Sequence, residues 1–446
     1  MKIFIGVLIC KVLYFIGKRI GRGSSLPGKV VLKIFPDILS CVKLPKTVIA
    51  VSGSNGKTST VEMIAHVMQA NGTNVIWNKE GANQIEGVTT FLLNNADLKG
   101  NISADAVLLE SDERYARLTF KYVVPTHFVI TNLYRDQMTR NAHSEWIYNI
   151  LKDAVKPESI LVLNADDPLV SCFAIDHDPQ KVVYYSMDEN KYSTSEPVGV
   201  YNDGKYCPVC KSQLEYEYYN MAHIGKYSCK NCGHKTNDAL CKVTDMDLDA
   251  KTVTFDNEYV INLSFSSAFN VYNLLATFTI ATVLGYSKAD VATALNGYIL
   301  KSGRIIEIAS GNHKGLLLTS KHENSVSYNQ SIDYVVRRNN DCIVMVLVDA
   351  ISRKYYTGET SWLFDIDFDR LNCDKVTNIV LCGKYAYDLA VRFEFTGIDN
   401  SKITVEPDIT KALDVVCNVD GDAEFYAITC FSDKDKILTR LNGGKA

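Results

Sequence analysis

The stretch "VIAVSGSNGKTST", from Val48 to Thr60, decides the fold of the first half of the sequence. Its apolar start is typical of a buried parallel strand. The part from Thr58 onward, "TSTVEMIAHVMQA", has the apolar spacing of an amphipathic helix. A strand that leads through a glycine-rich loop into a helix points backbone N–H groups and the positive end of the helix dipole at one place. The stretch therefore predicts an anion-binding loop.

This loop is a shortened phosphate-binding motif, because a full Walker A motif would have a further glycine where this chain has Val51. A glycine-containing turn with a surface lysine is the alternative. We expect Lys57 to supply a positive charge and Thr58 a hydroxyl ligand for the metal that bridges nucleotide phosphates. The residues predicted to bind the nucleotide are Gly53, Ser54, Asn55, Gly56, Lys57, Thr58 and Ser59.

The second metal ligand in such sites is usually a carboxylate at the end of a neighbouring strand. The segment "AVLLESDE" offers Glu110, Asp112 and Glu113 in that position. Glu110 is predicted as the ligand because it stands where the apolar run stops. A solvated acidic loop is the alternative interpretation.

Composition excludes some classes of protein. A chain of 446 residues is long enough for two or three domains, and its formal charge of −4 gives no electrostatic signature of nucleic-acid binding. Most of the 13 cysteines lie in apolar runs, which suits a reducing cytosol better than a disulfide scaffold. We therefore expect a cytoplasmic protein with no nucleic-acid partner.

Four cysteines differ from the rest, because they form two CxxC pairs in a polar segment: Cys207, Cys210, Cys229 and Cys232. This spacing is typical of four thiolates around one tetrahedral Zn²⁺. A redox dithiol would need only one CxxC pair, and four unrelated buried cysteines do not fit so polar a segment. Four sulfur ligands leave no open coordination position, so the predicted zinc is structural.

The order of apolar runs predicts an α/β protein. From Thr47 to Leu163, strands alternate with helices, and "AVLLESDE", "THFVITNL" and "ESILVLNADDP" each end in polar or acidic residues, as parallel strands with chemistry at their C-terminal ends do. We predict an N-terminal helical segment (1–45), a central domain (46–310) with an insertion (199–244), and a smaller Rossmann-like α/β domain (311–446).

The N-terminal segment "MKIFIGVLICKVLYFIGKRIGRG" is the most apolar stretch. Its apolar run contains Lys11 and is too short to span a bilayer comfortably, and no small-residue cleavage site follows it. We interpret it as an amphipathic helix that packs on the next domain, with contact to the cytoplasmic face of the membrane as the alternative.

These motifs resemble, in sequence order, those of the Mur ligases: "VSGSNGKTST", "GAN" at 81–83, "LLESDE", "TNLYRDQMTR", "LVLNADDP", "FNVYNLLA" and "GRIIEI". The CxxC insertion, the early "GRGSSLPGKV" and the late "SWLFDIDFD" resemble the MurT branch of that family. The resemblance covers nearly the whole chain. It implies a Mur-ligase-like P-loop central domain with an inserted zinc ribbon, followed by the Rossmann-like C-terminal domain.

The resemblance also implies an activity. Members of the MurT branch use ATP and Mg²⁺ to activate the α-carboxyl of D-glutamate in the lipid II stem peptide as an acyl phosphate, which ammonia then attacks. A GatD-type glutaminase partner supplies the ammonia. By the same resemblance, Asn270 and Asn273 would contact adenine, Arg304 would contact phosphates, and Lys321 would lie near the transferred phosphate.

The chain also departs from the family pattern. Thr139 replaces an acidic residue of "RDQMDR", and "KHEN" replaces the usual "KNP". Where the family has an Asp that completes the glutaminase's Cys–His pair, this chain has Glu359. Two alternative functions remain open. The protein could be a Mur-type ligase that adds an amino acid, or a zinc-ribbon P-loop protein that binds partners or nucleic acid.

Overall fold

Strand β1 (Thr47–Ser52) lies inside the largest of the three sheets found among the described residues. The computed structural model describes residues 1–19, 23–79, 82–137, 141, 143–300, 305–350 and 358–441. Val48 to Ser52 are all buried, as expected for an apolar strand with neighbours on both sides. β1 pairs in parallel with β3 (Ala106–Glu110) and with β4 (His127–Ile130). The parallel strands predicted from the apolar runs are therefore present.

The larger sheet has nine strands within the described residues, in the order β11-β10-β9-β6-β5-β4-β1-β3-β2. The pairs from β2 to β9 are parallel, and β9, β10 and β11 form an antiparallel edge. The remaining strands of this sheet are β2 (Val75–Trp77), β5 (Ile160–Asn164), β6 (Val182–Met187), β9 (Cys241–Asp247), β10 (Thr252–Phe255) and β11 (Tyr259–Asn262).

Helices accompany this sheet, and α1 and α2 pack with α4 around one core that includes Val7, Val31 and Leu92. They are α1 (Lys2–Arg19), α2 (Leu26–Ile34), α3 (Lys57–Ala70), α4 (Ile85–Asn95) and the helices Ala116–Thr119, Ser144–Lys152, Ala268–Val283 and Lys288–Leu295. Short 3₁₀ segments cover Ile38–Cys41, Val170–Ala174 and Pro179–Lys181.

None of the helices in the described part of the chain combines the length and the apolarity that crossing a bilayer requires.

The cysteine-rich insertion lies between β6 and β9 and contains an antiparallel hairpin of β7 (Glu215–Met221) and β8 (Ile224–Ser228). Both CxxC pairs flank this hairpin. The segment buries Leu214 and Tyr227 against two of its cysteines, so it has a small apolar core of its own.

A second sheet of six strands, counted within the described residues, has the order β12-β13-β17-β14-β15-β16, and only the β12–β13 pair among these is antiparallel. The strands are β12 (Ile305–Ser310), β13 (His313–Ser320), β14 (Cys342–Leu347), β15 (Val376–Cys382), β16 (Ile403–Glu406) and β17 (Glu424–Cys430). The accompanying helices are Ser325–Val336, Ala386–Phe393, Ile409–Cys417 and Lys434–Leu441, with 3₁₀ segments at Ser361–Asp365, Phe368–Leu371 and Asn400–Lys402.

The chain divides into two compact units, and each unit is built from several separate segments of the sequence. The first contains residues 1–134, 144–197 and 203–301, and the second contains 135–143, 198–202 and 302–446. The N-terminal helices belong to the first unit. β12 belongs to the second, so that unit begins before residue 311, where the sequence analysis placed the boundary.

Candidate functional site

The predicted phosphate-binding loop lies between β1 and α3, and α3 begins at Lys57. Gly53 and Gly56 have φ values of 134° and 85°, a region that L side chains rarely adopt, so the turn requires glycine at both positions. No side chain among the described residues caps α3. Since the first N–H groups of a helix have no intrahelical acceptor, this end of α3 is suited to an anion.

The loop is fixed by the segment that follows β4. The backbone N–H of Ser54 donates to the carbonyl of Asn132 at 2.9 Å, and that of Asn55 donates to the Asn132 side-chain oxygen at 2.9 Å. The Thr131 hydroxyl donates to the carbonyl of Asn55 at 2.8 Å. These three hydrogen bonds fix the shape of the loop. This role of the "TN" in "TNLYRDQMTR" was not predicted from the sequence.

Lys57 is buried, and its ammonium group lies inside the loop that it was predicted to serve. The Nζ donates to the carbonyl of Gly53 and, at 3.4 Å, to that of Ser54. It also forms an ion pair with Glu113, which is buried as well. Glu113 was one of three acidic residues noted in "ESDE", but its pairing with Lys57 was not predicted.

Thr58 and Glu110, the predicted metal ligands, lie side by side. The Thr58 hydroxyl donates to Oε2 of Glu110 at 2.8 Å, and the side chain of Asn83 donates to Oε1 at 2.9 Å. Cis ligands of an octahedral Mg²⁺ are about 3.0 Å apart, given Mg–O distances near 2.1 Å. The hydroxyl and carboxylate oxygens therefore fit two adjacent positions around that ion. The backbone of Glu110 is held by two hydrogen bonds with Asn78.

Asn270 and Asn273 lie in the first turns of helix Ala268–Val283, which the Ser267 hydroxyl caps. Asn273 is buried, and its Nδ2 donates to Oδ1 of Asn270 at 3.2 Å. A Cβ added to Gly56 would lie 1.9 Å from Oδ1 of Asn273. The structure thus places Asn273 directly against the phosphate-binding loop, where it restricts residue 56 to glycine.

Lys321 lies in the second unit, just after β13, where it forms an ion pair with Asp136. The side chain of Asn324 donates to the other carboxylate oxygen of Asp136 at 2.9 Å. Its side-chain oxygen also accepts the backbone N–H of Ser327 at 2.8 Å, so Asn324 caps the helix Ser325–Val336. Asp136 therefore orients the lysine that the resemblance singled out. Arg304 and Thr139, which the sequence analysis named, lie outside the described residues.

Glu359 is exposed at the start of the 3₁₀ segment Ser361–Asp365. Its Oε1 accepts the backbone N–H of Ser361 at 2.8 Å. Hydrogen bonds from the side chain and the backbone of Ser361 lower the pKa of Glu359. A solvent-facing carboxylate that stays ionised is a suitable partner for a histidine presented by another protein.

The four cysteines of the insertion come together as their spacing predicts. Their sulfur atoms all lie within 4.8 Å of one another, with Cys207 and Cys232 at 3.6 Å and Cys210 and Cys229 at 3.5 Å. A tetrahedron with Zn–S distances of about 2.3 Å has S···S separations of about 3.8 Å. The cluster could thus hold a single metal ion of that size.

Comparison with known proteins places the chain in a family. The Mur ligase middle domain family matches residues 51–234, and the MurT ligase C-terminal family matches residues 322–433. The MurT subunit of lipid II isoglutaminyl synthase (glutamine-hydrolyzing) from Streptococcus pneumoniae is 31% identical over 429 residues, which are 94% of this chain and 93% of that protein. The chain belongs to the MurT family. The MurT subunit from Staphylococcus aureus (strain COL) is 28% identical over 423 residues, with the same two coverages.

The fold of this MurT family member is that of Mur ligases. A solved pseudomurein peptide ligase type C from Methanothermus fervidus matches with a TM-score of 0.66 at 22% identity, over 91% of this chain and 80% of that one. The α/β fold that the sequence predicted is therefore confirmed, and so is the family resemblance.

Proposed function

We propose that this protein amidates the stem peptide of lipid II at the expense of ATP. The α-carboxylate of D-glutamate attacks the γ-phosphorus and ADP departs, which gives an acyl phosphate. Ammonia then attacks the carbonyl carbon, and inorganic phosphate leaves with formation of D-isoglutamine. The names of the relatives support the product, since both are subunits of lipid II isoglutaminyl synthase.

The observation that carries the proposal is the cluster of Lys57, Thr58 and Glu110 at the start of α3. A helix N-terminus and one lysine bind the phosphates, and a hydroxyl beside a carboxylate holds the metal that neutralises charge on the transferred phosphoryl group. In this structure Glu113 pairs with Lys57. We propose that the β- and γ-phosphates replace Glu113 as the partner of Lys57 when ATP binds.

Asn270, Arg304 and Lys321 complete the site in the proposal. Asn270 and Asn273 contact the adenine as the resemblance implies, and Asn273 also packs against Gly56 of the loop. Arg304 and Lys321 stabilise the charge that develops during phosphoryl transfer, since cations act there without reorganisation. For Lys321, the ion pair and hydrogen bond that its partner Asp136 makes support a fixed position.

The metal in the insertion is proposed to be a structural Zn²⁺ bound by Cys207, Cys210, Cys229 and Cys232. The all-sulfur donor set and the S···S separations support zinc over Mg²⁺ or Ca²⁺, which prefer oxygen ligands. Four protein ligands leave no position for a substrate.

A GatD-like glutaminase is the proposed source of ammonia. None of the 13 cysteines has glycines on both sides in the Gly-x-Cys-x-Gly pattern, and Cys382 is fully buried, where burial raises the pKa of its thiol. The exposed Glu359 would complete the partner's Cys–His pair. Because ATP is a cytoplasmic metabolite, the proposal also places the enzyme in the cytoplasm.

The test is the reaction of the purified chain with ATP, Mg²⁺, lipid II and an ammonium salt. ADP, phosphate and amidated lipid II should form together, and Lys57→Ala should abolish all three because the phosphates lose their P-loop cation. Lys99→Ala, which removes an exposed lysine of the same unit, is the matched control and should keep full activity.

Two results would contradict the proposal. Near-normal ATP consumption by Lys57→Ala would mean that this loop does not bind the phosphates. Incorporation of an amino acid in place of ammonia would assign the chain to the amino-acid-adding Mur ligases instead.

A further inference from the structure

Helix α1 is apolar on two opposite faces, and among the described residues the first unit covers one face and leaves the other exposed. Val7 and Cys10 are fully buried in the core shared with α2 and α4. Gly6 allows a close approach, since a Cβ there would lie 2.9 Å from the side chain of Ile38. This face explains why α1 packs on the domain, as the sequence analysis preferred.

The opposite face of α1 is exposed over its whole length. Six large apolar side chains there are between 37% and 61% exposed: Phe4, Ile5, Leu8, Val12, Phe15 and Ile16. At 3.6 residues per turn, these positions fall within an arc of about 120°. Single exposed apolar residues are ordinary, but six on one face of one helix form a continuous patch of the kind that marks an interaction site.

The charges of α1 identify the occupant of this patch. The helix carries Lys2, Lys11, Lys18 and Arg19 and no acidic residue, although the chain as a whole has a formal charge of −4. Lys2 forms an ion pair with Asp37. Lys11 and Lys18 lie at one border of the apolar arc. The Arg19 guanidinium lies 4.4 Å from the centre of the Phe15 ring. An apolar face bordered by cations is the pattern of a helix that lies in the interface of an anionic membrane.

We propose that the exposed face of α1 inserts into the surface of a bilayer that contains anionic lipids. Phe4, Leu8 and Phe15 would enter the acyl boundary, while Lys11 and Lys18 extend to the headgroups. A second copy of this helix is a poorer occupant, because it would bring the same positive charges against these. The inference goes beyond the proposed reaction and depends on none of its steps.

The experiment measures binding of the full-length chain to vesicles of phosphatidylcholine and phosphatidylglycerol, by flotation, in the absence of ATP and substrate. The bound fraction should fall about tenfold or more in the double variant Leu8→Glu, Phe15→Glu, because two carboxylates would have to enter the acyl boundary. Val260→Glu, at an apolar side chain that is 61% exposed on β11, is the matched control and should bind like the wild type. Vesicles of phosphatidylcholine alone, or high salt, should weaken binding by the wild type.

A second readout does not depend on the folding of the glutamate variants. Phe15→Trp keeps an aromatic side chain at an exposed position, and its fluorescence should shift to shorter wavelength when the anionic vesicles are added. Val260→Trp should show no shift. Three results would each overturn the proposal. The wild type could fail to bind vesicles, or the Leu8→Glu, Phe15→Glu variant could bind as well as the wild type. Alternatively, the wild type could form concentration-dependent dimers that this variant abolishes. None of these outcomes would affect the amidation assay, which can use a detergent-solubilised substrate.

Discussion

Replacing Gly56 by alanine should damage the protein in two separable ways. The φ of 85° at this position costs a non-glycine residue about 1 to 2 kcal/mol. The new Cβ would also lie 1.9 Å from Oδ1 of Asn273, so that buried amide has to move and lose its bond to Asn270. Losing a buried hydrogen bond costs about 1 to 3 kcal/mol, which brings the expected destabilisation to about 2 to 5 kcal/mol.

Gly72 provides a matched control at the other end of the same helix. Its φ is 79°, and nothing lies within 4 Å of a Cβ added there. Gly72→Ala therefore has the backbone strain without the collision, and its expected cost is about 1 to 2 kcal/mol. The difference between the two variants isolates the contact between residue 56 and Asn273.

Urea unfolding of both variants, together with ATP consumption, tests this reasoning. Gly56→Ala should unfold at lower urea and lose ATP turnover, while Gly72→Ala keeps it. Adding Asn273→Ala to Gly56→Ala removes the obstructing amide, so the two changes should cost less together than the sum of their separate costs. Equal stability of Gly56→Ala and Gly72→Ala, or strict additivity in the double variant, would refute the packing of Asn273 on the loop.

Three further predictions concern other parts of the molecule. Purified protein should contain about one zinc per chain by elemental analysis, and Cys229→Ser should lose both the zinc and its solubility. Cys417→Ser, at an exposed cysteine outside the cluster, should keep the zinc. Full zinc content in Cys229→Ser would contradict the site. Burial raises the pKa of Asp166 to about 7, so its stabilising contribution, present at low pH, is lost as pH rises through that value. Asp166→Asn cannot ionise and should flatten the loss of unfolding free energy between about pH 4 and pH 7, where the folded chain keeps the proton that the unfolded chain has lost. An unchanged slope across this window in urea titrations would refute this. Glu359→Ala should impair amidation with glutamine and the glutaminase partner but not with ammonium salts, and equal damage to both routes would contradict its proposed role.

The apolar runs of the sequence were sufficient to predict the parallel strands β1, β3, β4 and β5 and the polar residues at their C-terminal ends. The point where the apolar run "AVLL" stops led to the prediction of Glu110, because the C-terminal ends of parallel strands meet at one edge of the sheet. The CxxC spacing predicted the sulfur cluster, because two cysteines separated by two residues lie close enough to bind one metal ion. Both predictions depend on residues that are near one another in the sequence.

What the sequence could not provide is the set of partners that come from distant segments. The ion pair between Lys57 and Glu113 depends on how the chain turns after β3. The placement of Asn273 against Gly56 depends on a helix that begins more than two hundred residues later. The sequence predicted that α1 is a helix packed on the next domain, but it could not indicate which face is buried, because a helix that is apolar on two faces has no single apolar side.

The cysteine-rich insertion and the predicted phosphate-binding loop are connected through the loop that follows β5. His223, in the turn of the β7–β8 hairpin, lies 3.7 Å from a carboxylate oxygen of Asp167, and the same oxygen accepts the backbone N–H of Leu133 at 3.0 Å. Leu133 directly follows Asn132, whose carbonyl and side chain hold Ser54 and Asn55 of the phosphate-binding loop. Because each of these contacts joins buried polar groups, losing any one of them would lower the free energy of unfolding. The proposed structural zinc would thus support the proposed nucleotide site indirectly, because the insertion positions Leu133 and the neighbouring Asn132 positions the phosphate-binding loop.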